Sequence, residues 1–207
     1  MVSALELVSL SDFVLSALCL FLSGLLFGKV KSHLSTYAML CYFFLFAGLS
    51  AFMGGIDHGF FEPINQRYFP RTLTYLFVAT ATFFLFKYTV FTFFKGKVKR
   101  LLLILAYLQL IGFMISAFFY HNFILVVANY APVLLLFFIM NLIHIKNSKR
   151  EYYFTLFCLI LIIATLVQAF EIKLSNKINS DTFYHIIAFI GYLFFYKGVN
   201  VISKRAV

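Results

Sequence analysis

Two histidines and an aspartate give the chain the donor atoms of a metal site. Asp181 and His185 stand four positions apart in the stretch NSDTFYHIIAF, so on a helix both side chains leave the same face. His58 follows Asp57 at the end of an earlier apolar run. Two imidazoles and a carboxylate suit a catalytic zinc ion, which keeps a fourth position open for water. The sequence therefore predicts a zinc site formed by His58, Asp181 and His185.

Three further residues are predicted to take part in catalysis beside this zinc ion. A bound zinc ion lowers the pKa of its water toward about 7 and polarises a carbonyl group. Asp57 or Asp12 is expected to orient a ligand imidazole or to take the proton of that water, and for Asp57 the roles of ligand, base and cap stay open. Ser50 is predicted to donate a hydrogen bond to a developing oxyanion.

The same residues also have ordinary structural interpretations. Asp12 and Asp181 are both predicted at the start of a helix, where an aspartate is a typical N-cap. His58 and His121 are compatible with solvated loops, and Glu171 with an interfacial charge. The functional interpretation therefore depends on whether these side chains come together, and no single motif carries it.

The composition of the chain predicts an integral membrane protein. Of 207 residues, 63% are hydrophobic, only 12% are charged and thirty are Phe, and the mean hydropathy is +0.97. Soluble domains are about half apolar and about a quarter charged. A chain with this composition has too little polar surface for a soluble domain, so membrane lipids are its expected solvent or substrate.

The basic residues and the cysteines add little to a functional assignment. The formal net charge is +10, but Lys and Arg occur in short clusters between apolar runs, which indicates membrane topology and no nucleic-acid partner. Cys19, Cys41 and Cys158 lie within apolar runs without metal-type spacing. They are predicted to be packing residues that form no disulfides.

Seven apolar runs meet the length of about 20 residues that a spanning helix needs. The predicted fold is an all-α bundle of seven transmembrane helices that forms one domain over residues 1–207. The runs cover residues 10–28, 36–57, 73–94, 101–120, 122–144, 153–171 and 181–201. The stretch MVSALELVSL is predicted to be a tail outside the membrane, residues 120–122 a tight hairpin corner, and residues 58–71 the longest loop.

The distribution of positive residues predicts the direction of insertion. Twelve Lys and Arg fall on one side of the predicted spans and four on the other. The richer side holds Lys29, Lys31, Lys95, Lys97, Lys99, Arg100, Lys146, Lys149, Arg150, Lys197, Lys204 and Arg205, and the poorer side Arg67, Arg71, Lys173 and Lys177. The positive-inside rule then puts the amino terminus outside and the carboxyl terminus in the cytoplasm. Asp12, Asp57 and Asp181 all fall at the same outer face, as expected for one site.

The chain resembles the CREST superfamily of membrane hydrolases, which includes alkaline ceramidases and the progestin and adipoQ receptors. The resemblance rests on seven spans, on Ser50 and His58 in the second, and on the Asp181 and His185 pair that opens the seventh. It implies zinc held by His58, Asp181 and His185 and the cleavage of an amide or ester bond in a lipid. Asp181 stands where the family has a histidine, and Gly54 where it has its serine.

Two other functions fit the same residues. In a proton- or cation-coupled transporter, or in a membrane sensor, the acids and histidines would serve as relays. In a membrane assembly protein without chemistry, the polar residues would only cap helices, and Asp57, His58 and His185 would then face different ways. A metal-dependent lipid hydrolase with its site at the outer ends of spans one, two and seven is the leading hypothesis. The plasma or inner membrane and an endomembrane are equally compatible locations.

Overall fold

The computed structural model describes residues 3–33 and 35–203. Within these residues the chain forms seven helices, and each is long and apolar enough to cross a membrane. Their bounds are α1 Ala4–Phe27, α2 Thr36–Ile56, α3 Tyr68–Phe93, α4 Gly96–Ala117, α5 Phe123–Ile143, α6 Lys149–Ala169 and α7 Ser180–Ser203. The predicted all-α architecture is confirmed, and the chain is that of a multi-pass membrane protein. The direction of insertion stays a prediction, and Lys204 and Arg205, two of the positive residues that support it, lie outside the described residues.

The first helix begins earlier than the apolar pattern predicted. Ser3 is the N-cap of α1: its hydroxyl accepts a hydrogen bond from the Glu6 backbone N–H at 3.2 Å, and its own N–H donates to the Glu6 carboxylate at 2.6 Å. This capping box satisfies two backbone donors that would otherwise be free. The predicted outer tail over the first ten residues is therefore wrong from Ser3 onward, and Asp12 lies inside the helix and not at its N-cap.

The second helix continues past its predicted end. A π-helical turn, Asp57–Phe61, follows α2 directly, and the Glu62 N–H donates to the Asp57 carbonyl at 2.8 Å. Because α3 already begins at Tyr68, Pro70 lies in its first turn, where the missing proline N–H costs no helical bond. The predicted long loop over 58–71 is thus wrong, and the longest connection between described helices is residues 170–179.

At two other corners the helix ends agree only in part with the predictions from the sequence. The α4 and α5 helices are separated only by residues 118–122, as the predicted hairpin requires, and the Asn122 side chain caps the Ile124 N–H at 2.8 Å. At the start of α7 the Asn179 side chain accepts from the Thr182 N–H at 3.0 Å. Asn179 therefore has the capping role that was one prediction for Asp181.

An aromatic core closes the end of the bundle where α2 and α6 begin. The Phe195 ring lies with its centroid 4.5 Å from that of Phe157 and 4.9 Å from that of Phe43, and these residues belong to one buried cluster. Other fully buried rings of the cluster are Phe44, Phe137, Phe154 and Tyr88. The three cysteines are free and buried, as predicted. The polar residues of interest lie toward the opposite end.

The α1 and α2 helices approach each other closely along a line of small residues. Hydroxyls on α1 bond to glycine carbonyls on α2: Ser9 to Gly55 and Ser16 to Gly48, each at 2.8 Å. A Cβ atom added at Gly55 would lie 2.9 Å from the ring of Phe13. The glycines of α2 therefore allow α1 to pack closely against it.

Candidate functional site

A pocket of about 680 Å³ opens at the end of the bundle opposite the aromatic core. Ligand pockets usually have volumes of about 300–1,000 Å³. At its mouth the lining is polar: Asp12, Ser50, Asp57, His58, Arg67, Arg71, His121, Gln168, Glu171, Asp181 and His185. Further along the helices it is mainly apolar: Leu15, Phe43, Ala47, Val78, Leu85, Leu134, Phe157, Leu161 and Tyr192. The pocket thus joins a charged mouth to an apolar interior.

The acids and histidines that were predicted to form one site line one pocket. Asp12 of α1, Asp57 and His58 of the π-helical turn, and Asp181 and His185 of α7 all line this pocket. The assembly-protein alternative predicted that Asp57, His58 and His185 face different ways, whereas all three line this pocket. The π-helical turn explains how the adjacent residues Asp57 and His58 both reach the lining, because its extra residue changes the direction of successive side chains relative to an α-helix.

Asp12 and His185 form a buried pair that links α1 to α7. The Nε2 atom of His185 lies 3.2 Å from Oδ1 of Asp12. The other ring nitrogen, Nδ1, lies 2.8 Å from the Ser11 hydroxyl, which itself is 2.7 Å from the Val8 carbonyl. In the tautomer that carries a proton on Nδ1, the Ser11 hydroxyl donates to the Val8 carbonyl and accepts a hydrogen bond from the Nδ1–H group. One proton is then shared between Nε2 and the Asp12 carboxyl group.

Ser11 has the role of a positioning residue in this chain of contacts. A nucleophilic serine donates its proton to a histidine, whereas in this tautomer Ser11 accepts from the imidazole of His185. The contact therefore selects the ring orientation and directs Nε2 toward Asp12. Ser11 was not among the predicted site residues, although its position next to Asp12 was visible in the sequence.

The remaining oxygen of Asp12 is unusual. Oδ2 is buried and has no hydrogen-bond partner within the described chain, and Asp12 is only 4% exposed. Gly54 faces this carboxylate: a Cβ atom added there would lie 3.1 Å from Oδ1 and 3.2 Å from Oδ2. Asp57 and Asp181 are the two carboxylates that interact electrostatically with Asp12. Asp12 therefore lies within electrostatic reach of two other carboxylates.

Asp57 is engaged in ion pairs. The Nη2 atom of Arg67 lies 2.6 Å from Oδ2 of Asp57, and Nε lies 3.0 Å from both carboxylate oxygens. Arg71 contributes a third contact, with Nε 3.3 Å from Oδ2. Bidentate pairing of this kind fixes both partners. Asp57, predicted as ligand, base or cap, anchors two guanidinium groups at the mouth.

His58 belongs to the same ionic cluster. Its Nδ1 atom lies 2.6 Å from Oε2 of Glu62, and Oε1 of Glu62 lies 2.6 Å from Nη1 of Arg67. The interpretation of His58 as a solvated loop residue is wrong, because His58 lies on the π-helical turn and is only 23% exposed at its side chain. Arg67, Arg71 and Glu62 were missed as site residues because the sequence marked the arginines only as outer charges.

The predicted zinc ligands each have a different protein partner. His58 contacts Glu62, His185 contacts Asp12, and the Oδ1 atom of Asp181 accepts from the Gln168 amide at 2.9 Å. A zinc site needs its donors to converge on one ion at about 2.0–2.3 Å. Over residues 3–33 and 35–203, no three His, Cys, Asp or Glu side chains form a group that could hold a metal ion. The side chains in this arrangement do not fit a zinc ion. The zinc site remains a prediction from the sequence.

Two further polar residues of the lining have defined contacts. Ser50, the predicted oxyanion donor, is 3.3 Å from the Thr74 carbonyl, to which its hydroxyl donates. His121 was interpreted as a solvated corner residue, but its Nε2 atom lies 3.0 Å from the Thr72 hydroxyl, and its ring packs edge-on against Tyr75. That interpretation is wrong, because His121 is part-buried and lines the pocket.

The fold and the pocket define a multi-pass seven-helix membrane protein with a pocket that is polar at its mouth and mainly apolar inside. A family model described as a family of unknown function, DUF6962, matches residues 7–204, and the chain belongs to this family. Neither the comparison with curated proteins nor that with solved structures gives a match.

Proposed function

We propose that this protein is a membrane hydrolase that cleaves an ester or amide bond of a lipid. The observation that supports this proposal is the buried Asp12 and His185 pair, which lies where the charged mouth of the pocket meets its apolar interior. A lipid bound there has its polar end at the mouth and its chain between the helices. Acid and imidazole groups within membrane spans are costly to insert, so they usually mark a functional site.

The chemical step needs a base, a stabilised oxyanion and a protonated leaving group. The Asp12 and His185 pair takes a proton from water as the water oxygen bonds to the carbonyl carbon of the substrate. The carbonyl oxygen then carries the negative charge. We assign the stabilisation of this charge to Arg71, because a guanidinium has five N–H donors and the contact of Arg71 with Asp57 uses only Nε. Collapse of the intermediate breaks the bond to the alcohol or amine, which leaves with the proton held by the pair.

The shape of the pocket favours a lipid substrate over a transported ion. Leu15, Val78 and Leu134 line the interior, which suits a hydrocarbon chain. Phe43 and Phe157 line the far end of the pocket and belong to the aromatic core that fills the other half of the bundle. A relay for protons or cations needs polar groups that continue across the bilayer, and the described residues place aromatic rings beyond the pocket.

The proposal is tested by measuring lipid cleavage with purified full-length protein. The protein is reconstituted in lipid nanodiscs and supplied with a panel of acyl esters and N-acyl amides, and released fatty acid is quantified by mass spectrometry. We expect His185→Gln and Asp12→Asn to lower the rate by at least about a hundredfold, the usual contribution of a general base.

A histidine outside the pocket is the matched control for this experiment. His144 follows α5 at the opposite end of the bundle and bonds to the Met140 carbonyl at 2.7 Å. His144→Gln should retain wild-type activity, and thermal unfolding of each variant shows that the fold is kept. Cleavage that persists in well-folded His185→Gln protein, or no cleavage of any ester or amide by the wild type, would contradict the proposal.

A further inference from the structure

The charged groups at the mouth separate into two sets by their contacts. The first set contains two carboxylates and two guanidinium groups: Asp57 and Glu62 with Arg67 and Arg71. Every member contacts an opposite charge within 3.3 Å. The formal charges of this set sum to zero.

The second set is acidic and has no basic partner. It contains Asp12, Asp181 and Glu171, all in the lining of the pocket. Over the described ranges, no Lys or Arg forms an ion pair with any of the three, and the contacts of Asp12 and Asp181 are with His185 and with the Gln168 amide. Within the part of the chain that the structure describes, the titratable group bonded to this set is one imidazole, so these three carboxyl groups have no Lys or Arg to balance them although the whole chain has a net charge of +10.

The second carboxylate oxygen of Asp12 is a candidate acceptor for a donor from a ligand. Oδ2 is buried without a hydrogen-bond partner in the part of the chain that the structure describes, and Asp12 lines the pocket. Removing a carboxylate oxygen from water without a partner is costly, and a donor from a ligand removes that cost. A metal ion would need three or more convergent protein donors, a group that is not found in the described chain. An ammonium group needs only acceptors at hydrogen-bond distance.

We infer that the lipid bound in this pocket has a positively charged amine at its polar end, held by Asp12 and Asp181. This inference rests on the proposed function, because both place the polar end of the lipid at the mouth and its chain in the apolar interior. An ammonium group has three N–H donors. They match the free oxygen of Asp12 and the acceptor capacity of Asp181, whose Oδ1 receives one hydrogen bond from Gln168. Neutral and anionic head groups leave Oδ2 of Asp12 without a charged donor.

Three probes that share one chain length separate head-group charge from hydrophobicity. Binding of hexadecylamine, hexadecan-1-ol and hexadecanoate to the purified full-length protein is measured in a non-ionic detergent. The chain is strongly basic overall, so non-specific electrostatic attraction favours hexadecanoate. We expect the opposite order, with hexadecylamine bound about tenfold more tightly than the alcohol and the carboxylate weakest.

Two variants and one control locate the effect. Asp12→Asn and Asp181→Asn should each weaken hexadecylamine binding about tenfold and leave hexadecan-1-ol binding unchanged. Glu6→Gln removes a carboxylate from the exposed start of the same helix, outside the main pocket, and should change neither. Asp181 is only half-buried at the start of α7, so Asp181→Asn provides the test if Asp12→Asn fails to fold.

The outcomes distinguish this inference from the proposed hydrolysis. Equal binding of amine and alcohol, tightest binding of hexadecanoate, or an amine preference that survives Asp181→Asn would each overturn the inference. Hydrolysis of neutral lipids without an amine preference overturns the inference and leaves the proposed function in place. A selective amine site without hydrolysis of any lipid supports the inference and contradicts the proposed function.

Discussion

The Nε2 atom of His185 lies 3.2 Å from Oδ1 of Asp12, so the first and last helices of the bundle meet through one hydrogen-bonded pair. The pair lies at the pocket, while Ser11 holds the opposite ring nitrogen. Sharing a proton between a buried carboxyl group and an imidazole keeps a base available without exposing a full charge to an apolar interior.

Removal of the Ser11 hydroxyl should lower the turnover number more than it changes KM. Ser11→Ala takes away the acceptor of the His185 Nδ1–H group and leaves the pocket lining intact. A loss of about tenfold in kcat corresponds to about 1.4 kcal/mol, a reasonable cost for one orienting hydrogen bond. Steady-state kinetics on the lipid identified in the cleavage assay measure it.

A conservative change separates positioning from general destabilisation. Ser11→Thr keeps a hydroxyl group and should restore most of the lost rate, while both variants unfold at a similar temperature. A Ser11→Ala enzyme with unchanged kcat would show that this hydrogen bond does not position His185.

Loss of Arg67 should destabilise the fold. Arg67 is only 16% exposed at its side chain and holds both Asp57 and Glu62. Removing one partner of a largely buried ion pair leaves uncompensated carboxylates and costs about 3 kcal/mol. Chemical unfolding of Arg67→Ala in detergent measures the change in free energy.

The exposed Lys97 provides the matched control for Arg67. Lys97→Ala also removes one positive charge and should change the free energy of unfolding by less than about 0.5 kcal/mol. In a double-mutant cycle, Asp57→Asn combined with Arg67→Ala should destabilise less than the sum of the single changes. Additive effects would show that the two side chains do not stabilise each other.

The glycines of α2 should differ in what their replacement changes. A methyl group at Gly55 meets the Phe13 ring at 2.9 Å, so Gly55→Ala should lower the free energy of unfolding by about 1–3 kcal/mol. A methyl group at Gly54 lies 3.1 Å from Oδ1 of Asp12, so Gly54→Ala should lower activity and amine binding more than stability. Unfolding and cleavage measurements on the same preparations compare the two.

Gly112 is the control for both substitutions. Apart from its two chain neighbours and the backbone of its own helix, no atom of the described residues lies within 4 Å of a Cβ atom built at Gly112. Gly112→Ala should therefore be neutral or stabilise α4 by up to about 1 kcal/mol, the difference in helix propensity. Equal destabilisation at Gly112 and Gly55 would contradict close packing of α1 on α2.

Lipid cleavage should survive removal of divalent metal ions. His58 and His185 are bonded to Glu62 and Asp12, and no group of metal ligands is found over residues 3–33 and 35–203. Protein treated with a chelator and then dialysed should retain its activity. One zinc ion per chain, lost together with activity in His58→Ala and His185→Ala, would instead support the zinc hydrolase predicted from the sequence.

Most of the helices were predictable because a membrane imposes a local rule. A spanning segment must satisfy its own backbone hydrogen bonds, so length and apolarity predict a helix without knowledge of its neighbours. The errors arose at helix ends, where specific polar contacts decide the boundary. The capping box of Ser3 and Glu6 follows the S-x-x-E pattern and was a visible signal that the apolar window missed.

The aspartates and histidines of the pocket were predictable from the sequence, but their pairing and the parts played by Ser11, Glu62 and the two arginines were not. The sequence by itself determined that this chain has seven helices fit to span a membrane and that its three aspartates lie with several histidines toward one end of the bundle. Which atoms meet depends on helix rotation, on the π-helical turn at Asp57 and on the approach of α1 to Gly54. Only the tertiary structure therefore decided that His185 pairs with Asp12 and His58 with Glu62, because a shift of about 1 Å or one residue of helical register changes the partner of a side chain.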